Sequence, residues 1–121
     1  MSSTLAVRIA ALTGFFAVAL GAFGAHGLKA HFEANGNLAI WQTAALYHLV
    51  HAVVLLVLAS RNAVARLPFV LFGIGIVIFS GSLYLLAVTN VKWLGAITPI
   101  GGLCLLAGWL ALAFGRPSAA S

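Results

Sequence analysis

The chain has 121 residues, of which 64% are hydrophobic and only 6% are charged. A soluble domain is nearer half apolar and about a quarter charged, so this composition excludes a water-soluble fold. The formal net charge is +5, from six Lys and Arg against the single acid Glu33. These bases stand singly at the ends of apolar runs and form no stripe, which indicates membrane orientation and argues against a nucleic-acid partner.

Four apolar runs are each long enough to cross a bilayer, which takes about 20 residues in a helix. Unpaired backbone groups are not tolerated in lipid, so the runs are predicted to be α-helices. In chain order they cover about 5–25, 40–59, 67–88 and 93–114. The predicted fold class is an all-α membrane protein, with four transmembrane helices in an antiparallel bundle and residues 1–121 as a single domain.

The first run has one alternative interpretation, as a cleavable secretory signal that starts at Arg8 and ends at the small residues 22–25. Its apolar stretch exceeds the about 7–15 residues of a signal core, which favours a retained span.

The segment between the first two spans contains its own short pattern. Leu28 and Phe32 are four residues apart and precede the turn signal at 35–37, Asn-Gly-Asn. This spacing predicts a short interfacial helix that ends at the turn.

Orientation follows from the bases near the ends of the spans. With four spans, both termini and the middle loop share one side of the membrane. That side holds four arginines and the opposite side holds two lysines: Arg8, Arg61, Arg66 and Arg116 against Lys29 and Lys92. The positive-inside rule then predicts that both termini lie in the cytoplasm.

Small residues recur along several spans, and helices in lipid associate through such close-packing positions. The glycines predicted to pack at helix contacts are Gly14, Gly21, Gly81, Gly101 and Gly108. Pro99 lies inside the fourth run and predicts a kink there, because it removes a backbone hydrogen bond. An alternative is that residues 98–102 unwind to expose carbonyls to an ion, as in transporters with broken helices.

The second span places Tyr47, His48 and His51 within about a third of its circumference. Polar side chains at this depth face the bundle interior. The candidate polar core comprises Tyr47, His51, Ser80, Tyr84 and Thr98. One interpretation is structural: neutral His51 donates to a hydroxyl or carbonyl of a neighbouring helix, with the last three of these as candidate partners. Another is a functional cavity for a proton, an ion or a lipid headgroup.

Metal and catalytic sites are weakly indicated. His48 and His51 are three residues apart but need further ligands, His26 lies near the membrane surface, and Cys104 is the lone cysteine. No metal or other cofactor is therefore expected. Ser80 or Ser82 with His51 has the residue types of a nucleophile and its base, yet Ser-Gly-Ser on a packed helix is equally good packing.

The tryptophans stand near the ends of spans. Trp41, Trp93 and Trp109 are predicted to anchor the helices at the membrane interface.

Four motifs occur in order along the chain, at residues 21–28 (GAFGAHGL), 41–51 (WQTA with Tyr47 and His51), 79–84 (FSGSLY) and 98–102 (TPIGG), followed by Gly108-Trp109. Together they resemble the family catalogued as domain of unknown function 423, small bacterial inner-membrane proteins akin to eukaryotic transmembrane protein 256. The resemblance implies a four-helix inner-membrane protein without an established activity. The histidines that match the motifs of this family are His26 and His51.

The sequence supports two functional hypotheses. The first is a non-enzymatic accessory or structural component that acts through helix packing, with the lipid bilayer and either another membrane protein or further copies of itself as partners. The alternative is a small oligomeric transporter or channel with a polar cavity around His51.

Overall fold

The computed structural model describes residues 2–115, so Arg116 and the rest of the C-terminal tail lie outside the described part. Within it the chain is helical, without a β-strand. Its α-helices are α1 (Ser3–His26), α2 (Lys29–Asn35), α3 (Leu38–Ala59), α4 (Arg66–Thr89) and α5 (Thr98–Phe114), and a 3₁₀ helix at Lys92–Ala96 precedes α5. Four helical stretches are long and apolar enough to span a membrane, which confirms the predicted fold class.

The connection between α1 and α3 contains the predicted interfacial helix. This helix, α2, buries Phe32 and ends where Gly36 adopts the left-handed conformation, with φ of 73°. Glycine takes this conformation without the steric cost of a Cβ atom, so Asn-Gly ends the helix and turns the chain into α3.

The four spans are arranged as an open row. The backbone of α1 packs on α3, that of α3 on α4, and that of α4 on α5; among the described residues no Cα of α1 lies within 8 Å of α4 or α5, and none of α3 within 8 Å of α5. Buried residues make up 39% of the central spans but only 17% of the outer ones. The outer spans therefore present most of their apolar surface outward, as lipid requires.

Two apolar clusters hold the row together. The larger lies towards the α3–α4 loop and comprises Ala6, Ala10, Leu55, Leu58, Ala59, Phe69, Phe72, Ile76 and Leu105. The smaller lies at the α2 end and comprises Phe32, Trp41 and Ala87. Alanines from α1 and α3 let these two helices approach closely, as small residues do in membrane proteins.

The contact between α4 and α5 depends on two of the predicted packing glycines. A Cβ atom at Gly101 would overlap the backbone nitrogen of Phe79, and one at Gly108 would lie 2.8 Å from Cε1 of Phe72. Neither position has room for a side chain, so both glycines set how close α5 lies to α4.

The other three predicted glycines have more room. A Cβ atom at Gly14 or Gly21 would meet only an alanine methyl group on α3, at 4.0 Å and 3.8 Å, and one at Gly81 would meet nothing within 4 Å. Packing inside the chain thus does not explain Gly81.

The start of the fourth span differs from the prediction. The chain forms a 3₁₀ helix over Lys92–Ala96, and α5 begins only at Thr98, so Pro99 lies in its first turn. The predicted kink is wrong, because the first-turn N–H groups of a helix have no intrahelical partner and proline is tolerated there. Residues 98–102 are helical, without the unwound stretch that the broken-helix alternative requires.

Candidate functional site

The polar face of α3 is the place where the spans bring their polar side chains together. His48 and His51 are both buried, with 7% and 5% of their surface exposed, whereas Tyr47 is 42% exposed. The two imidazoles turn towards different neighbours, His48 to α4 and His51 to α5. Each histidine therefore belongs to a separate arrangement.

His48 connects α3 to α4. Its Nδ1 lies 2.9 Å from the Tyr84 hydroxyl on α4, and the two rings meet edge to face. Next to this pair, Ser80 donates to the carbonyl of Ala44 at 2.8 Å and ties α4 to α3.

A groove opens beside His48, between α1 and α4, with a volume of about 620 Å³. We call it the His48 groove. Its polar lining is restricted to Thr13, His48, Ser80 and Tyr84, and its remaining lining is Ile9, Leu12, Phe16, Leu20, Leu55, Gly73, Ile76, Val77 and Gly81. No charged side chain lines it, so it resembles a binding site for an apolar molecule with a small polar group.

His51 has both ring nitrogens occupied. Its Nδ1 lies 2.8 Å from the carbonyl oxygen of Tyr47, and its Nε2 lies 3.1 Å from Nε1 of Trp109. A carbonyl only accepts and an indole N–H only donates, so the imidazole that satisfies both is neutral with its proton on Nδ1. The partner of His51 on a neighbouring span is therefore Trp109 and not one of the three expected residues, Ser80, Tyr84 and Thr98.

A second groove lies beside His51, with a volume of about 550 Å³, and we call it the His51 groove. Its lining is Tyr47, His51, Phe79, Pro99, Gly102, Leu103, Leu105, Leu106 and Trp109. It shares no lining residue with the His48 groove.

The structure divides the candidate polar core. Tyr47 and His51 line the His51 groove, while Ser80 and Tyr84 line the His48 groove. Thr98 lines neither, because its Oγ1 lies 2.6 Å from the hydroxyl of Ser82 between α4 and α5. These side chains do not surround one cavity.

His26 lies apart from the polar face of α3. It is exposed at the end of α1, and its assignment as a motif residue stays a prediction. Among residues 2–115 no three histidine, cysteine or acidic side chains come together as metal ligands.

Sequence reasoning missed a polar cluster at the α2 end, which we call the asparagine clasp: Asn35, Asn37 and Asn90. The side-chain amides of Asn35 and Asn37 both donate to the carbonyl of Ala87, at 2.9 Å and 3.2 Å. Asn37 also donates to Oδ1 of Asn90 at 3.1 Å. The clasp satisfies the carbonyl of Ala87, which lies in the last turn of α4 and has no partner within the helix. The sequence signal was Asn-Gly-Asn, which predicted only the turn.

Two tryptophans have structural partners that the sequence did not reveal. Trp41 is 4% exposed, donates to the carbonyl of Leu20 at 2.9 Å, and packs against Gly24. The prediction of an interface anchor is wrong for Trp41, because its indole N–H is used between α3 and α1. Trp109 donates to His51.

Every buried side-chain nitrogen or oxygen in the described residues has a hydrogen-bond partner. The interior is therefore a satisfied network, in which the bonds Trp41–Leu20, Ser80–Ala44 and Ser82–Thr98 join neighbouring spans.

Comparisons with known proteins agree with the fold. The family model described as "Protein of unknown function (DUF423)" matches residues 20–102. The UPF0382 membrane protein SSP2132 of Staphylococcus saprophyticus is 42% identical over 114 residues, covering 90% of this chain and 93% of that protein. YwdK of Bacillus subtilis is 40% identical over 111 residues, covering 86% and 89%. A UPF0382 membrane protein of Haemophilus influenzae is 45% identical over 113 residues, covering 90% of each chain.

No solved structure matches this chain. The family match covers more than half of the residues, and the relatives, all named as membrane proteins, align over most of their length. The chain is therefore a multi-pass membrane protein that belongs to the DUF423 family, for which no activity is named.

Proposed function

We propose that the protein is a non-enzymatic accessory component of the bacterial inner membrane that packs its outer spans against another membrane protein. The observation that carries this proposal is the open row, in which the backbone of α1 packs on only one other span, α3, and that of α5 on only one, α4. Large apolar side chains such as Phe15, Val18, Ile100 and Leu110 point away from the chain and are more than half exposed. These faces are available to lipid or to the helices of a partner.

The hydrogen bonds of the interior support a non-enzymatic role. Ser80 donates to the Ala44 carbonyl, and Ser82 is bonded to Thr98. The ring nitrogens of His51 are taken by Tyr47 and Trp109. A serine nucleophile needs a base within hydrogen-bond reach, and these contacts join neither serine to His51.

The accessory proposal is tested by extracting the protein from its own membrane into lipid nanodiscs and weighing the particles by native mass spectrometry. We expect a second protein in stoichiometric amount. The paired variants Phe15→Ala/Val18→Ala on α1 and Ile100→Ala/Leu110→Ala on α5 remove outward side chains, and we expect one pair to reduce recovery of the partner about tenfold.

The matched control is Val57→Ala, which shortens an outward side chain of α3 that is 56% exposed. It should leave recovery of the partner unchanged. Recovery of the chain with lipid alone in every preparation would contradict the accessory proposal.

A second candidate function is a small oligomeric transporter or channel, favoured by the His51 groove. Two polar residues, Tyr47 and His51, line this groove. A single open row cannot enclose a path, so several copies would have to close the groove. A flux assay in liposomes tests it: wild type should conduct and His51→Leu should not. Equal flux in both would exclude this function.

Orientation is a further part of the proposal. Arg61 and Arg66 are exposed at the α3–α4 loop, while Lys29 and Lys92 are exposed at the opposite end of the row. The distribution supports a cytoplasmic α3–α4 loop and cytoplasmic termini.

A further inference from the structure

Two glycines of α4 lack an explanation in the packing of the chain. A Cβ atom at Gly73 or Gly81 would meet nothing within 4 Å, and both residues line the His48 groove. On the same helix, by contrast, a Cβ atom at Gly75 would press on Leu105 of α5. Glycine is less favourable than alanine inside a helix, so Gly73 and Gly81 keep the groove open at a cost that internal contacts do not offset.

The polar pair in the groove can serve two kinds of ligand atom. With the imidazole proton on Nε2, the Tyr84 hydroxyl donates to Nδ1 of His48 and its oxygen accepts from a ligand. With the proton on Nδ1, the imidazole donates to Tyr84 and the hydroxyl is free to donate to a ligand. The pair therefore matches either a hydroxyl or a carbonyl group, without any change in its net charge.

The dimensions of the groove select a small molecule with a tail. Its lining on α1 runs from Ile9 to Leu20, and on α4 from Gly73 to Tyr84, which corresponds to roughly 16 Å at about 1.5 Å per residue. The groove volume of about 620 Å³ is within the range of about 300–1,000 Å³ that is typical of small-molecule sites.

We propose that the His48 groove binds a lipid-soluble molecule with an uncharged oxygen head on a hydrocarbon tail, the chemistry of a membrane quinone and its quinol. The head hydrogen bonds to Tyr84, and the tail lies along Gly81, Val77 and Gly73. A phosphate-bearing headgroup does not fit, since none of the residues lining the groove is charged. This inference goes beyond the accessory role and does not depend on it.

Trp41 provides an internal reporter for the site. Its ring centroid lies 4.6 Å from that of Tyr84, so a quinone ring bound at Tyr84 will quench its fluorescence. The variant Trp93→Phe/Trp109→Phe leaves Trp41 as the single tryptophan. In nanodiscs, titration with a benzoquinone that carries a ten-carbon tail should quench Trp41 saturably.

Competing molecules show which chemical group the groove recognises at Tyr84. If one oxygen atom at the head is enough for binding, the corresponding quinol and a twelve-carbon alcohol should both displace the quinone. If the ring is also recognised, only the quinol should displace it. Dodecane, which has a hydrocarbon tail but no oxygen, should not displace the quinone. Displacement by dodecane at the same concentration as the alcohol would overturn the assignment of Tyr84 as the head site.

Two substitutions in the single-tryptophan background complete the test. Gly81→Leu fills the groove, and Tyr84→Phe removes the hydroxyl but keeps the ring; each should weaken saturable quenching about tenfold or more. The matched control Val57→Leu adds bulk on the outward face of α3 and should change nothing. The helical signal in circular dichroism shows whether each variant is folded. If Gly81→Leu is not folded, the result for Tyr84→Phe decides the test.

Two results would overturn the proposal. One is linear quenching that is equal in all variants, which reports quinone dissolved in the bilayer. The other is a change of oligomer mass in Gly81→Leu without any effect on quenching, which assigns the groove to a second copy of the chain.

Discussion

His51 shows how both ring nitrogens of a histidine inside a membrane are satisfied by its neighbours. The indole of Trp109 donates to Nε2, and the Tyr47 carbonyl accepts from Nδ1. Because an indole N–H only donates and a carbonyl only accepts, the two contacts together require the tautomer with its proton on Nδ1. The side chain of His51 is therefore part of the packing between α3 and α5.

The first prediction concerns this hydrogen bond. Trp109→Phe leaves the Nε2 acceptor of His51 without a partner, and we expect a loss of about 1 kcal/mol, the scale of hydrogen bonds between transmembrane helices. His51→Leu should cost a similar amount by leaving the indole unpaired. The double variant should be less destabilised than the sum of both, because no polar group is then left over. Equilibrium unfolding in mixed micelles measures all four proteins, and strict additivity would contradict the coupling.

At this scale the sequence predicted that His51 is interior but not which partner it has. Its helical spacing placed His51 inside the bundle, and the structure buries it. The partner lies 58 residues away at Trp109, which the sequence assigned to the membrane interface. The spacing along one helix defines a face, but the identity of the helix opposite that face depends on the order of the spans.

Among the elements, α4 packs against both α3 and α5, and glycines of two kinds lie at its surfaces. At Gly101 of α5 a new Cβ atom would overlap the backbone of Phe79, whereas at Gly81 of α4 it would enter the open His48 groove. Gly101 is therefore needed for the contact between two helices, whereas Gly81 leaves space in a groove.

The second prediction compares alanine at these positions. Gly101→Ala should destabilise by about 1–3 kcal/mol, because backbone cannot yield as a flexible side chain does and α5 must move outward. Gly81→Ala should be neutral or stabilise by up to about 1 kcal/mol, since alanine is the better helix former. Equilibrium unfolding in micelles measures both, and equal effects would show that α4 and α5 are not in the close contact described.

The third prediction concerns the asparagine clasp. His31→Ala/Asn35→Ala removes both side chains through which α2 bonds to the Val88 and Ala87 carbonyls, so α2 should lose its attachment to the end of α4 while the four spans remain in place. Hydrogen exchange should accelerate about tenfold or more in residues 28–37 and stay unchanged within α3 and α5.

The control for the clasp is Glu33→Gln, a change on the exposed face of the same helix, which should leave exchange unaltered. Unchanged exchange in His31→Ala/Asn35→Ala would mean that the burial of Phe32 alone holds α2.

At the element scale most of the fold could be predicted, because long apolar runs allow only helices in lipid. The exception was the start of the fourth span. Apolar composition runs continuously through Trp93 and Pro99, so it does not show that a 3₁₀ turn precedes α5. The 3₁₀ helix packs against α4, and a contact between separate segments cannot be read from the composition of one run.

The whole molecule is a row of spans with a histidine groove on either side of the α3–α4 pair, and this arrangement could not be predicted from the sequence. Tight loops, such as the one between α3 and α4, require antiparallel neighbours but do not decide whether α1 closes the bundle against α5. The side-chain volumes at the contacts decide it, through residues such as Ala10, Gly101 and Trp41 that act across large sequence separations.

The fourth prediction concerns how the whole molecule sits in the membrane. The α3–α4 loop carries two exposed arginines, Arg61 and Arg66, and we expect it in the cytoplasm with both termini, which places α2 outside. In a Cys104→Ala background, Ala30→Cys marks α2 and Ser60→Cys marks the end of α3; both positions are exposed. A membrane-impermeant maleimide should label the first variant in intact spheroplasts and the second only after the membrane is permeabilised. The reverse pattern would mean that the positive charge near the span ends does not set the orientation, and labelling of both variants in intact spheroplasts would mean that α3 does not cross the bilayer.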